Sequence, residues 1–163
     1  MGNILVRSVA VVAAASSLLI ACASGPRPAV GGAGGGAAPV SGSPGGSTSS
    51  DAVVGFLRAA QTTDALTMSR YFGTRAGPTT VRDPATDVEK RMIALACYLQ
   101  HDAARVVGDV PGVGSTGDRT ITVELQQREL VRQTRFTVVP GPDARWFVQA
   151  FDIDAVSDLC RPR

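Results

Sequence analysis

The 163-residue chain contains one histidine, one lysine and three cysteines, with no C-x-x-C spacing among the cysteines. A tetrahedral metal site needs four Cys or His ligands at suitable spacing, so none is expected. Apolar runs of the roughly 20 residues needed to span a bilayer are also missing, because the stretch from Ser8 to Ile20 is too short. Charge of one sign is not in excess. Of the 16 Lys plus Arg, Arg7 and Arg27 precede residue 51, and the remaining 14 balance the 14 Asp plus Glu. A neutral domain argues against nucleic acid, or an electrostatically held membrane surface, as the main partner. Lys90 is the single lysine and carries no functional weight.

The N-terminal end places Arg7 before the apolar stretch Ser8 to Ile20 and closes it with Leu19-Ile20-Ala21-Cys22. This arrangement resembles a bacterial lipoprotein signal. The resemblance implies that residues 1–21 are removed, that the small Ala21 admits the peptidase, and that the Cys22 thiol accepts a diacylglyceryl group. Two or more acyl chains such as palmitate, at about 0.8 kcal/mol per buried methylene, hold a protein on a membrane. The implied partner is the lipid bilayer through Cys22. Ala23 stands where an aspartate would signal retention, which implies the outer membrane, facing the periplasm. An ordinary secretory signal with an incidental cysteine is the alternative.

From Ala23 to Ser50 the chain is Gly, Ala, Ser and Pro with few large apolar side chains, including Gly31-Gly32-Ala33-Gly34-Gly35-Gly36. Such composition does not offset ordering entropy, so residues 22–50 read as a lipidated cysteine and a disordered tether with an r.m.s. span of about 29 Å. Residues 51–163 suffice for one domain with a core and not for two. Within it Cys97 and Cys160 remain as a pair. An oxidising compartment favours their disulfide, worth roughly 4 kcal/mol in the chain-entropy model; two buried free thiols are the alternative.

Ser50 followed by Val53, Phe56, Leu57 and Ala60 predicts an amphipathic helix behind an N-cap. A second, shorter helix carries Leu66, Met68, Tyr71 and Phe72 and ends at Gly73. Thr74 to Pro84 reads as loop with a short strand near Thr79 to Arg82. Thr86 and Glu89 fit a capping box for a third helix, with Val88, Met92, Leu95, Ala96 and Leu99 in helical spacing. Cys97 falls on its flank, so a disulfide would pin the C-terminal tail across the helix's outer side. The pattern then changes to period two, with strands at Ala104 to Val110, Arg119 to Gln127, Leu130 to Val139 and Trp146 to Asp154. The last is apolar on both faces, Phe147, Phe151 and Ile153 against Trp146, Val148 and Ala150, which predicts a central strand. The fold class expected is α+β, three N-terminal helices packed on a curved antiparallel sheet of three to four strands.

The opening Asp51-Ala52-Val53-Val54-Gly55-Phe56-Leu57-Arg58-Ala59-Ala60, the Tyr71-Phe72-Gly73 helix end and the strand start Arg145-Trp146-Phe147-Val148 resemble nuclear transport factor 2-like proteins. Their fold is a cystatin-like cone of curved sheet around a helix. The resemblance covers about residues 50 to 155 and implies a fold and a pocket, lined here by Val53, Phe56, Leu57, Phe72 and Phe147. It implies no reaction, because the family holds isomerases and cyclases as well as binding and spacer domains.

Chemistry-bearing motifs are few. Gly112-Val113-Gly114-Ser115-Thr116-Gly117 matches G-x-G-x-x-G, but a strand follows it rather than a helix, so it reads as a turn. His101-Asp102 joins an imidazole to a carboxylate at a helix end, where dipole and turn contacts explain both. Asp152, Asp154 and Asp158 lack calcium-loop spacing. Arg128, Arg132 and Arg135 read as a solvated or cross-strand paired set with Glu124 and Glu129. No catalytic residue, cofactor or metal is assigned. The expectation is a membrane-anchored envelope lipoprotein whose domain binds an envelope protein or a small apolar ligand without catalysis. Two alternatives stay open: an isomerase- or dehydratase-type enzyme using Asp102 and a tyrosine, and a spacer that forms a homodimer through its sheet.

Overall fold

The structure is a computed structural model that describes residues 42–113 and 117–160. The signal motif Leu19, Ile20 and Ala21, the acceptor Cys22 and most of the expected tether lie outside the described residues.

Ordered contacts begin inside the tract read as tether. The backbones of Gly46 and Trp146 exchange two hydrogen bonds, at 2.8 and 2.9 Å, and the Gly45 N–H donates to the Arg70 carbonyl at 2.9 Å. The Arg145 guanidinium donates to the Pro44 carbonyl at 3.1 Å and also to that of Gly45, and Arg70 donates to the carbonyl of Gly42. Glycine is required at Gly46, where a Cβ would sit 2.2 Å from the Ala52 nitrogen. Helix α1 then runs Ser49–Gln61, two residues earlier than its spacing predicts, with Thr48 rather than Ser50 as N-cap. Thr48 Oγ1 accepts the Asp51 N–H at 3.0 Å. The Asp51 carboxylate in turn accepts from the Ser47 hydroxyl and from Thr48, which holds it below its ordinary value. This reciprocal capping box is what Thr48-Ser49-Ser50-Asp51 spells.

Helix α2, Ala65–Tyr71, is capped by Asp64, whose carboxylate accepts the Thr67 N–H at 3.0 Å. Gly73 does not cap it in a left-handed turn. Phe72 is the C-cap, and Gly73 opens a small hairpin of β1, Gly73–Thr74, and β2, Gly77–Pro78, where a loop was expected. A Cβ on Gly73 would lie 2.4 Å from the Gly77 carbonyl oxygen, so close approach rather than backbone freedom fixes this glycine. Thr79–Val81 forms a 3-10 turn in place of the expected short strand.

Helix α3, Ala85–Tyr98, starts before the predicted box. Pro84 is its N-cap and its carbonyl takes the Asp87 and Val88 N–H groups at 3.1 Å, so Thr86 falls inside the first turn and caps nothing. Of the predicted stripe, Val88, Met92, Ala96 and Leu99 are buried and Leu95 is half-buried.

Strands β3, Ala103–Pro111, β4, Arg119–Gln127, β5, Leu130–Pro140, and β6, Trp146–Phe151, form one antiparallel sheet in the order β3-β4-β5-β6. The class is α+β as expected, with four strands in the main sheet and a two-stranded sheet beside it. β6 is an edge rather than a central strand. Its burial comes from outside the sheet, from the bridges of Gly46 to Trp146 and of Phe72 to Val148. One sheet face packs on the helices through Ile121, Val123, Leu125, Phe136, Val138 and Val148, with Val53, Phe56, Met68 and Met92 opposite. The other carries Thr120, Thr122, Glu124 and Gln126, paired with Thr137, Arg135, Gln133 and Val131.

Cys97 and Cys160 are bridged, with Cα atoms 4.9 Å apart and a sequence separation of 63. The C-terminal 3-10 segment Asp154–Cys160 is more than a strap across α3, because it drives Val156 and Leu159 into the core.

Candidate functional site

The pocket expected inside the domain is filled. Val53 and Phe56 are fully buried and Leu57 nearly so, and the Phe72 ring stacks on Phe56 with centroids 5.7 Å apart. Phe147 belongs to the opposite face. Val148 pairs with Val138 in the core, so Phe147, which pairs with Val139, points away from it. The register shift between Thr137 and Val138 is a bulge that breaks the simple alternation of β6, which is why Phe147 and Phe151 do not share a face as expected. Phe151 packs on Phe136 at 5.4 Å. Phe147 is buried instead beneath Gly45 and Gly141, where a Cβ would lie 2.9 and 2.5 Å from its ring.

An open concavity occurs elsewhere, between α1 and β3. It has a volume of about 190 Å³ and is lined by Val54, Leu57, Arg58 and Gln61 on α1, by His101, Asp102 and Ala103 to Val106, and by Val123 beneath. It exists because the helices cover the sheet unevenly. On β4 the inward Val123 and Leu125 are fully buried, whereas their partners on β3, Val106 and Ala104, are half-buried and exposed. Val54, 43% exposed, forms the helical wall.

His101 and Asp102 close one end of this groove, and both are committed to backbone. His101 Nδ1 lies 2.7 Å from the Leu99 carbonyl oxygen. A carbonyl only accepts, so Nδ1 carries the proton there. The Asp102 carboxylate accepts the Arg128 N–H at 2.6 Å, bracing the β4–β5 turn in which Arg128 takes a φ of 55°. Gln61 Nε2 donates to the carbonyls of His101 and Asp102 at 3.3 and 3.4 Å, tying the end of α1 to this corner. Neither Tyr71 nor Tyr98 lines the groove with Asp102. Tyr71 lies against Gly55, where a Cβ would fall 2.4 Å from its ring.

The rim carries both signs, Arg58 and Arg105 with Asp102 among its lining residues. Arg105 bonds Glu124 at 2.8 Å, and with Gln133 it holds the Glu124 carboxyl below its ordinary value. Arg58 is exposed and meets no carboxylate among the described residues. A second concavity of about 260 Å³, between α2, Thr80 and α3, carries Leu66, Val88 and Glu89 but no converging set of polar groups.

The remaining candidates resolve into structure. Asp158 pairs with Arg132 at 2.5 Å, Asp152 lies 3.7 Å from Arg135, and no group of three metal-ligating side chains occurs among the described residues. Arg132 and Arg135 stand on opposite sheet faces, so with Arg128 in the turn the three do not form one set. The glycine-rich segment joins β3 to β4, its ends closed by the Gly112 N–H on the Asp118 carbonyl at 2.8 Å. Its residues Gly114, Ser115 and Thr116 lie outside the described residues. No described helix is long and apolar enough to cross a membrane.

No protein-family model, curated protein or solved structure matches the chain. The groove residues Val54, Arg58 and Ala103 to Val106 were not singled out by sequence reasoning. Val54 is the one available signal, an apolar residue off the buried stripe of its helix.

Proposed function

We propose that this protein is a membrane-anchored envelope lipoprotein whose single domain is a non-catalytic binding module, with the α1–β3 groove as its binding site. An α+β layout with helices on one face of a four-stranded antiparallel sheet supports the cone-like reading, and the lipoprotein-like pattern around Cys22 supports the anchor. One observation carries the binding reading: the domain's interior is packed solid, while an apolar floor edged by Arg58, Arg105 and Asp102 stands open beside it. Binding sites are concave, mostly apolar and carry a few polar groups that fix orientation. His101 and Asp102, the acid–base pair nearest that floor, are held by Leu99 and Arg128, which supports binding over proton transfer.

The test has two parts. Palmitate fed to a bacterial host expressing the full chain is expected to label it, and Cys22→Ala is expected to abolish the label. For the groove, native mass spectrometry of the full chain carrying Cys22→Ser, purified from that host, is expected to show a ligand or protein adduct. Val54→Trp, which places a large side chain on the exposed helical wall of the groove, should remove it. Labelling independent of Cys22, or an adduct indifferent to Val54→Trp, would overturn the corresponding half.

A further inference from the structure

A third and larger concavity, about 470 Å³, opens at the end of the sheet opposite His101, and its size is that of a small-molecule site. Strand length creates it. Ile121 and Val148 face the helices, and side chains alternate along a strand. Arg119 and Trp146, two residues before them, therefore face the same way one row further out, with Pro111 opposite Arg119 in the register. The bridge of Gly46 to Trp146 delivers the chain to this end and α1 starts at Ser49. The residues across from the last row are thus Ser47, Thr48 and Ser49 rather than apolar helix positions.

The two charged side chains of this cleft are matched from outside it. Arg119 donates through Nε and Nη2 to the Asp109 carboxylate, at 2.7 and 2.6 Å, and Asp118 pairs with Arg75. Asp109 reaches Arg119 because the register shift between Val106 and Gly108 turns it to the face of Ile121. Little charge is left over for an ion, and Asp51 in the first turn of α1 already answers the helix dipole. Hydrogen-bonding capacity does remain. Arg119 Nη1 meets no acceptor among the described residues, and the hydroxyls of Ser47, Thr48 and Ser49 can each donate and accept. Trp146, the chain's single tryptophan, is half-buried and supplies a large apolar face.

We propose that this cleft is a binding site separate from the α1–β3 groove, and that it takes an uncharged saccharide whose ring lies on Trp146. A sugar ring carries C–H groups on its faces, which pack on an indole, and hydroxyls round its edge, which both donate and accept. An anion gains little where each cation is already matched. An apolar ligand would bury a guanidinium and hydroxyls without partners, at a cost. A peptide strand adds to a sheet edge, whereas this cleft lies on a sheet face.

The test titrates the full chain carrying Cys22→Ser with chitotriose, maltotriose and cellotriose, followed by the intrinsic fluorescence of Trp146. At least one sugar is expected to shift the emission saturably, with a dissociation constant of about 1 mM or below. The constant should hold from about 50 to about 500 mM salt, because no charge pair forms. Arg119→Ala should weaken binding about tenfold or more. Arg119 and Asp109 are 34% and 33% exposed, and so open a pair adds little to stability, so the variant should keep its thermal midpoint. Arg119→Lys keeps a charge beside Asp109 but loses the Nη1 group, and should weaken binding in the same direction. Val54→Phe, which adds bulk to the α1–β3 groove without adding a tryptophan, should leave the titration unchanged. No saturable shift with any of the three sugars overturns the proposal, as does a shift unaffected in both Arg119 variants. A shift that inorganic phosphate reproduces, or that salt abolishes, would make the cleft an anion site. Loss in Val54→Phe with binding kept in Arg119→Ala would move the sugar to the α1–β3 groove, and either result rejects the proposal.

Discussion

Gly46 and Trp146 bind each other through paired backbone hydrogen bonds, which fastens the end of a low-complexity tract to the first residue of an edge strand. The domain therefore needs residues that its composition places in a linker. Each net hydrogen bond is worth about 1 kcal/mol and an N-cap about the same. A chain lacking residues 1–50 is expected to be less stable than one lacking residues 1–41 by a few kcal/mol, read by urea denaturation. Equal midpoints would show that the strap contributes nothing.

Gly46→Ala should reproduce much of that loss without removing any residue, because its Cβ has no room beside Ala52 and the Thr48 carbonyl. About 2 kcal/mol or more is expected from such a clash with backbone. Gly42→Ala is the control for space, since nothing lies within 4 Å of the added carbon.

Phe147→Ala is expected to cost roughly 3–5 kcal/mol, as for other buried phenylalanines. It should leave binding in the α1–β3 groove unchanged under conditions where the variant stays folded. Phe147 faces away from the core, under Gly45 and Gly141, so its loss loosens the strap and not the groove. A selective loss of binding would place it in the site after all.

The helix caps give the pH dependence a sign. Hydrogen bonds from Ser47 and then Thr48 lower the Asp51 carboxyl, and those from Thr67 lower Asp64, both from an ordinary value of 3.8. A folded-state value below the unfolded one means that the stabilisation is complete above the unfolded value and is lost as pH falls through the lowered one. Denaturation midpoints are expected to fall below about pH 4, and less so in Asp51→Asn and Asp64→Asn, whose caps no longer titrate. Identical acid limbs for wild type and both variants would remove the caps from the account.

Reduction of the Cys97–Cys160 bridge is expected to lower stability by roughly 4 kcal/mol on the chain-entropy model. It should also free the segment that holds Val156 and Leu159, so amide exchange should rise first in residues 154–160. Thiol titration of the denatured, unreduced chain carrying Cys22→Ser should find no free thiol. Two free thiols would mean the pair is not bridged in the purified protein.

Local chemistry made much of this architecture legible. The spacing of Val53, Phe56, Leu57 and Ala60 marked one helix and that of Val88, Met92, Ala96 and Leu99 another, because a helix buries one stripe every 3.6 residues. Arg119 to Gln127 was bounded without error because its alternation is clean on a sheet with one solvated face. The misplaced ends have local rivals: Ser50 and Thr86 look like caps, yet Thr48 and Pro84, two residues earlier in each case, take the positions, Thr48 through its hydroxyl on the Asp51 N–H and Pro84 through its backbone carbonyl.

What the sequence determined by itself is the α+β class, the stripes and alternations that make the core, the neutral charge of the domain and the two cysteines available for a bridge. Tertiary structure alone decided that Gly45 and Gly46 belong to the domain, that β6 is an edge, that Phe147 turns its back on Phe56, and that an open groove lies between α1 and β3. The reason is physical. Periodicity records which residues of an element avoid water, whereas strand order, a bulge, and the partial cover of one sheet by its helices depend on partners distant in the chain.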